Sequence, residues 1–351
     1  MVHWDEKPPS TGRAVVGILL TGFEPFGGSD VNVSMDVVNA FEKRILIEDP
    51  WKDLGPSRPS LTVDVERSIL SVDREGSLKV AKRIDNGESW SAILHLGVCG
   101  SCSVPRIETV AEDRLAMRIP DNGGRQVAES TLSGDGDLRI TCSTKHWFQS
   151  WVTDAEVSID ARAYLCNETL YRSLEANREK SIPILFLHLP PAEVYPIEKS
   201  MKVVNDVIAR MLFKPVVHVV GSLFTEDGKF LVARRAEHER HPGTWEFPGG
   251  KLERGESMQS AIVREVKEEF GWSVTSGSSI GRWHHELEDV IIALDILSCS
   301  FIGQHPSYQP DVRWTSHDSV QWHTSTTCGF LTFTGSDDEV VAQIKQLDLI
   351  D

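Results

Sequence analysis

Between Gly250 and Trp272 the chain reads GKLERGESMQSAIVREVKEEFGW, and this stretch restricts the fold more than any other. Ala261, Ile262, Val266 and Phe270 recur at helical spacing and predict one buried helix face. Glu265, Glu268 and Glu269 stand at i, i+3 and i+4, so their carboxylates share another face. Three like charges there repel one another unless a cation sits among them. Hard divalent ions such as Mg²⁺ or Mn²⁺ take oxygen ligands of this kind. A solvated acidic face is the plainer reading of a Glu-rich helix. It leaves unexplained Gly250 and Glu256 before the helix, the Arg264-Glu265 pair and the closing Gly271.

Composition narrows the setting of that helix. A chain of 351 residues suggests two domains, and 40% apolar with 25% charged residues is ordinary for globular proteins. The formal charge of −16 speaks against a binder of nucleic-acid polymers, which needs Lys and Arg in surface excess. No run of eighteen apolar residues predicts a membrane span. The start, MVHWDEKPPSTGR, has no apolar segment and reads as a frayed leader, not a secretion signal. Of the six cysteines, Cys99 and Cys102 form a C-x-x-C without a second pair or an H-x3-5-H to complete a zinc site. They are expected as two buried thiols at a strand end, in a reducing cytoplasm.

Strand and helix alternate through the first two hundred residues. AVVGILLTGF (14–23), SAILHLGV (91–98) and IPILFLHL (182–189) predict buried parallel strands. SMDVVNAFEK (34–43), opened by a Ser cap, LYRSLEANR (170–178) and EKSMKVVNDVIARML (198–212) predict helices. Pro215 disfavours helix before it, and the texture changes there. VVHVVGSLFTEDGKFLVARR (216–235) reads as two strands joined by Glu-Asp-Gly. The domain boundary is expected at 213–215.

The 250–272 pattern resembles the Nudix box, G-x5-E-x7-R-E-U-x-E-E-x-G-U, at every fixed position; the last, usually aliphatic, is Trp272. The resemblance covers 216–347, and WEFPGGKLERGE is similar to the MutT-type nucleoside triphosphate pyrophosphohydrolases. It implies Mg²⁺ (or Mn²⁺) held by Glu265, Glu268, Glu269 and the Gly250 carbonyl. Arg264 would orient carboxylates, with Glu256 in support. Glu265 or a neighbouring carboxylate would act as base while water attacks phosphorus. By register from Val340 and Ile344, Asp337 is the residue set against the nucleobase, which fits an oxidised purine or a cytosine. A helix N-cap is the competing reading of Asp337. Relatives supply a further glutamate before a Trp; SYQPDVRW offers only Tyr308, Gln309 and Asp311.

ARAYLCNETLY (161–171) places Cys166 at a helix start, where it is either core filler or nucleophile. His188 ends a buried strand, and Glu108 lies in SVPRIETVAED; spacing alone leaves the choice open. TGFEPFGG (21–28), HLGVCGSCSVPRIE (95–108), IPDN (119–122), YLCN (164–167) and FLHLP (186–190) together resemble the pyroglutamyl peptidase I family, over about 15–212. The resemblance implies Cys166 as nucleophile, His188 as base and then acid, and Glu108 as third member. Phe23 and Phe26 would sandwich the pyroglutamyl ring. No cofactor is implied for this domain. Two departures stand out: Arg162 where the family has glycine, and Val33 where it has proline.

The expectation is therefore an α/β chain of two domains. Residues 14–213 would form a three-layer α/β/α open sheet with cysteine peptidase chemistry on pyroglutamyl peptides or amides. Residues 215–351 would form a Nudix α/β/α sandwich with a mixed sheet, acting on a small nucleotide. Neither membrane nor nucleic-acid polymer is expected as a partner, and the peptidase family often assembles as homo-oligomers. The rival expectation keeps the Nudix chemistry and makes the first domain a noncatalytic binding or oligomerisation module.

Overall fold

A computed structural model describes residues 16–147, 151, 154–303, 314, 316–347 and 349. The leader and the candidates Tyr308, Gln309 and Asp311 lie outside the described residues. The chain divides into two compact units. One takes in Pro59–Thr144; the other takes in the chain from Lys214 onward and also Trp51–Arg58.

The first unit is built on strands β1 (Val16–Phe23), β2 (Arg44–Ile47), β3 (Leu61–Leu70), β4 (Ala92–Val98), β5 (Arg106–Glu108), β6 (Val110–Ala111), β7 (Leu138–Arg139), β8 (Glu156–Ser158) and β9 (Ile184–Leu189). Seven of them form one sheet in the order β2-β3-β1-β4-β9-β5-β8. The central neighbours β3, β1, β4 and β9 pair in parallel; β2 runs antiparallel to β3, and β5 antiparallel to β9 but parallel to β8. Helices α1 (Val33–Ala40), α2 (Arg74–Asp85), α3 (Leu165–Ala176) and α4 (Ile197–Leu212) cover it, α2 against α3 and α1 against α4.

Strand periodicity sorts the apolar side chains between the faces. Leu19, Ile93, Ile184 and Phe186 join Val80, Ile84, Leu170 and Leu174 in one core beneath α2 and α3. Ile18, Leu20 and Leu94 alternate with them and are equally buried. The continuous apolar runs in the sequence therefore mark strands covered on both sides. One local expectation fails: the cap of α1 is Asn32, whose Oδ1 accepts from the Ser34 N–H at 3.0 Å. Ser34 Oγ instead accepts from the Phe23 N–H, tying β1 to that helix.

The second unit contains β10 (Val216–Leu223), β11 (Thr225–Glu226), β12 (Lys229–Arg235), β13 (Trp245–Glu246), β14 (Gly249–Lys251), β15 (Val274–Glu286), β16 (Ile291–Phe301) and β17 (His317–His323). They make a mixed sheet β14-β10-β16-β15 and a second sheet in which β12 pairs with β11, β13 and β17. Helix α5 (Met258–Phe270) buries Ala261, Ile262 and Val266 against Val220, Phe224 and Leu297. Helix α6 (Asp337–Gln346) buries Val340, Val341 and Ile344 against Phe230, Trp245 and Phe247. The expected turn at Glu-Asp-Gly exists, but it joins β11 to β12, with Asp227 and Gly228 both at positive φ. Strand β10 ends before it and pairs with β14 and β16 in the other sheet. Among the described residues, no helix is long and apolar enough to cross a membrane.

Candidate active sites

Cys166 is the second residue of α3, whose N-terminus has no side-chain cap. Unbonded N–H groups and the helix dipole there favour a negative sulfur. Gly97 on β4 makes room for it: a Cβ there would stand 3.0 Å from Cys166 Sγ and closer still to the Phe186 ring. His188 is paired with that same Gly97 across β4 and β9, so strand register brings the imidazole toward the thiol. Glu108 comes from β5, antiparallel to β9, and its Oε1 meets His188 Nδ1 at 2.7 Å. Three elements distant in sequence thus bring Cys166, His188 and Glu108 together.

His188 and Glu108 are 5% and 1% exposed, so their charges interact with little screening by water. Burial by itself lowers the His188 pKa. Interaction with Cys166 and then with Glu108 outweighs it and pushes the value up to about 9. Glu108 Oε2 has no hydrogen-bond partner among the described residues, which leaves His188 as the group that compensates the buried carboxylate.

Two recesses meet at Cys166. A narrow slot is lined by Phe23, Phe26, Asn32, Val72, Val98, Tyr164 and Leu165. Phe23 is buried, and Phe26 stacks on Tyr164 with ring centroids 6.0 Å apart. The wider cleft, about 240 Å³, shares Phe26, Val98 and Tyr164 with the slot and is further bounded by His188, Cys99, Arg118 and Arg162.

Several supporting residues escaped the reading of the sequence. Arg125 binds Glu168 at 2.7 Å and Asp121 at 3.0 Å, joining the IPDN segment to the first turn of the nucleophile helix. Asn122 Nδ2 donates to Glu24 Oε1 and to the Pro25 carbonyl, so IPDN also fixes the GFEPFGG loop. Glu168, an acid two residues after Cys166 in an otherwise buried helix, was the available signal. The expected pair of thiols is a disulfide: Cys99 and Cys102 are bonded, with Cα atoms 5.4 Å apart. The loop they close lies beside the cleft, and the C-x-x-C spacing itself carried the signal for the bond.

In the second unit the acidic pattern folds around one arginine. Arg264 donates to Glu256 at 3.0 and 2.9 Å, to Glu265 at 2.8 Å, to Glu268 at 3.3 Å and to the Lys251 carbonyl at 3.0 Å. This arrangement raises the Arg264 pKa and lowers that of Glu256, chiefly through their mutual hydrogen bonds. Gly250 lies against Glu265 so closely that any Cβ would overlap the carboxylate. Ser257 caps the helix and Gly271 closes it at φ 72, as the pattern requires.

The donor set suits a hard divalent ion in chemistry: a glycine carbonyl and carboxylate oxygens. Glu269 Oε2 is buried without a hydrogen-bond partner among the described residues. Burial, joined by repulsion from Glu265 and Glu246 and opposed by His317, pushes its pKa up to about 7. The fit is incomplete at Glu268, whose side chain is 61% exposed and turned to Arg264. Among the described residues no three acidic, His or Cys side chains converge into a ready cage.

His317 was missed altogether. It is buried, receives no mark in the sequence pattern, and joins Glu246 at 2.8 Å with Glu269 at 3.7 Å. Asp337 is not the helix cap, which is Ser336. It opens α6 from a buried position, its Oδ2 accepting from the Phe247 N–H at 3.1 Å, and burial raises its pKa well above the usual carboxylate range.

Comparison with known proteins accords with both halves. The pyroglutamyl peptidase family profile matches residues 16–216, and the NUDIX domain profile matches 213–341. A CTP pyrophosphohydrolase of Escherichia coli is 33% identical over 111 residues, covering 30% of this chain and 75% of the relative. A pyrrolidone-carboxylate peptidase of Thermococcus litoralis is 26% identical over 184 residues, covering 49% of this chain and 76% of its own. The solved pyrrolidone carboxyl peptidase from Thermococcus litoralis overlays with a TM-score of 0.48 at 21% identity, covering 56% of this chain and 94% of that one. The chain belongs to the pyroglutamyl peptidase family through its N-terminal part and to the NUDIX family through its C-terminal part.

Proposed function

We propose that the chain is a bifunctional hydrolase, with a thiol-dependent pyroglutamyl peptidase at 14–213 and a pyrophosphohydrolase of nucleoside triphosphates at 215–351. The observation that carries the first half is the line from Cys166 to His188 to Glu108, with its buried 2.7 Å contact. Glu108 engages Nδ1, leaving Nε2 for the Cys166 proton. The sulfur attacks the pyroglutamyl carbonyl carbon, and N–H groups at the start of α3 receive the oxyanion. The protonated His188 then gives its proton to the leaving amine, and a thioester remains on Cys166. Water, deprotonated by His188, cleaves that thioester and restores the thiol. Phe23 and Phe26 border a slot of about 10 Å³ that would have to widen to sandwich the flat lactam ring; Phe26 also lines the wider cleft.

In the second half, Glu265, Glu268, Glu269 and the Gly250 carbonyl would hold Mg²⁺ or Mn²⁺. When bound, such an ion neutralises charge on the phosphates and lowers the pKa of the attacking water. Glu265 or a neighbouring carboxylate would take the proton from that water, and Arg264 holds Glu265 and Glu256 in place. The products are a nucleoside monophosphate and pyrophosphate. Asp337 would face the base; the name of the Escherichia coli relative favours cytosine over an oxidised purine.

The test is release of a fluorophore from a pyroglutamyl amide by wild type and Cys166→Ala, with metal chelated throughout. Turnover that disappears in the variant supports the peptidase. A folded wild type without turnover would favour the second reading, a Nudix hydrolase carrying a noncatalytic module. The observation behind that reading is Arg162, held at φ 58 just before the nucleophile turn, where side chains other than glycine are disfavoured.

A further inference from the structure

We propose that the peptidase site selects substrates whose leaving residue carries a carboxylate, with Arg162 as the residue that recognises it. This inference rests on the peptidase reading above. The wide cleft at Cys166 has an aromatic side, Phe26 and Tyr164, and a polar side with His188, Arg118 and Arg162. His188 borders the wide cleft and not the apolar slot. The slot, about 10 Å³, holds no more than a water, so the lactam ring lies on the Phe26 and Tyr164 side of the cleft. The proton for the departing amine comes from His188, and the leaving residue extends along the side bordered by His188 and Arg162.

The charged side chains bordering that cleft are Arg118, Arg162 and His188; among the described residues none bordering it is an acid. Positive side chains thus line this cleft in a chain of formal charge −16. Arg162 is exposed but not loose. Its backbone N–H donates to Asp160 Oδ1 at 2.8 Å, and its Nη2 donates to Ser101 Oγ at 2.7 Å. Ser101 belongs to the loop closed by the Cys99–Cys102 disulfide, and Cys99 itself borders the cleft. The guanidinium is thus fixed at one edge by a neutral hydroxyl. The rest of its planar fork remains suited to a carboxylate, whose two oxygens match it.

Two sources can present that carboxylate: an acidic side chain on the residue after pyroglutamate, or the free terminus of a pyroglutamyl dipeptide. The experiment compares kcat/KM for pyroglutamyl-glutamine amide, pyroglutamyl-glutamate amide and pyroglutamyl-glutamine with a free terminus. A pyroglutamyl aminocoumarin serves as the neutral reference for the peptidase itself. An exposed guanidinium–carboxylate pair predicts a preference of about three- to fivefold for at least one acidic substrate. Arg162→Asn, which tolerates positive φ, brings that ratio to about one, whereas Arg162→Lys keeps it above about two. The substrate that shows the preference identifies the source.

Equal rates on all three peptides, or a preference that survives Arg162→Asn in a protein that melts like wild type, would overturn the inference while leaving the peptidase intact. No turnover of any substrate, the aminocoumarin included, would remove the peptidase reading itself and this inference with it.

Discussion

Replacing Glu108 by Gln keeps the shape of the side chain and removes its charge. In the wild type, Glu108 Oε1 sits 2.7 Å from His188 Nδ1, and both groups are buried. Burial lowers the His188 pKa; Cys166 and Glu108 more than reverse that and hold it at about 9. A hydrogen bond between charged partners contributes about 1.5–3 kcal/mol, and about 1.4 kcal/mol corresponds to one pKa unit. Glu108→Gln therefore moves the alkaline limb of kcat/KM downward by about one to two pH units. Loss of the same interaction in the transition state lowers kcat/KM at neutral pH by about 10- to 100-fold. The assay is fluorophore release from pH 5 to 10, paralleled by the rate at which iodoacetamide alkylates Cys166, which needs no substrate. Stability adds a sign that can be checked. Because the folded pKa of His188 is raised above 6.5, its stabilisation is fully present below that value and is lost as pH rises through about 9. The gap in melting temperature between wild type and variant should be widest below pH 6.5 and shrink above 9. An alkaline limb unmoved by Glu108→Gln, together with a loss under about threefold, would refute the assignment of Glu108 as the group that holds the imidazolium.

The Nudix half offers two further tests. In Gly250→Ala the new Cβ overlaps the Glu265 carboxylate, so the proposed Mg²⁺-dependent release of pyrophosphate from a nucleoside triphosphate, assayed first with CTP, falls by about 10- to 100-fold. Calorimetric Mn²⁺ affinity should fall in step, and unchanged affinity would contradict the placement of Glu265. Asp337→Asn addresses a carboxyl whose pKa burial raises well above 3.8. An unfolded Asp releases its proton near 3.8, so wild-type stability declines as pH rises above that value while the variant's does not. The variant should match wild type near pH 4 and melt higher by about 2–4 °C at pH 8; identical melting at pH 8 would place an ionised Asp337 in the fold.

Legibility in the sequence followed the length scale of each constraint. A helix face, a left-handed cap or a strand buried on both sides is fixed by neighbours within a dozen residues. Met258–Phe270 with Gly271 behind it, and the strands Val16–Phe23, Ala92–Val98 and Ile184–Leu189, could therefore be read directly. Cys166, His188 and Glu108 span 80 residues between the last two alone, and periodicity carries no information about their meeting. Only the family likeness joined them before the sheet order did. The turn at Asp227-Gly228 shows the intermediate case: its type was legible, but which sheet each flanking strand enters depends on partners far along the chain.

The residues that escaped reading have one property in common: their chemistry is supplied by a partner rather than by their own neighbours. His317 lies in WTSHDSV, where nothing around it signals function, yet it is placed between Glu246 on β13 and Glu269 on α5. Arg125 looks like a surface cation in a Gly-rich loop until Glu168 and Asp121 enclose it. Arg162 reverses the pattern, because the sequence marks it only as an intruder at a glycine position. At φ 58 it accepts a conformation that costs roughly 1–2 kcal/mol, and the neighbouring disulfide loop supplies the hydroxyl that binds its side chain. Substrate selection by Arg162, as we propose, gives that cost a function, beside a nucleophile and at a cleft bordered by no described acid, whereas the noncatalytic reading leaves the side-chain bond to Ser101 without one.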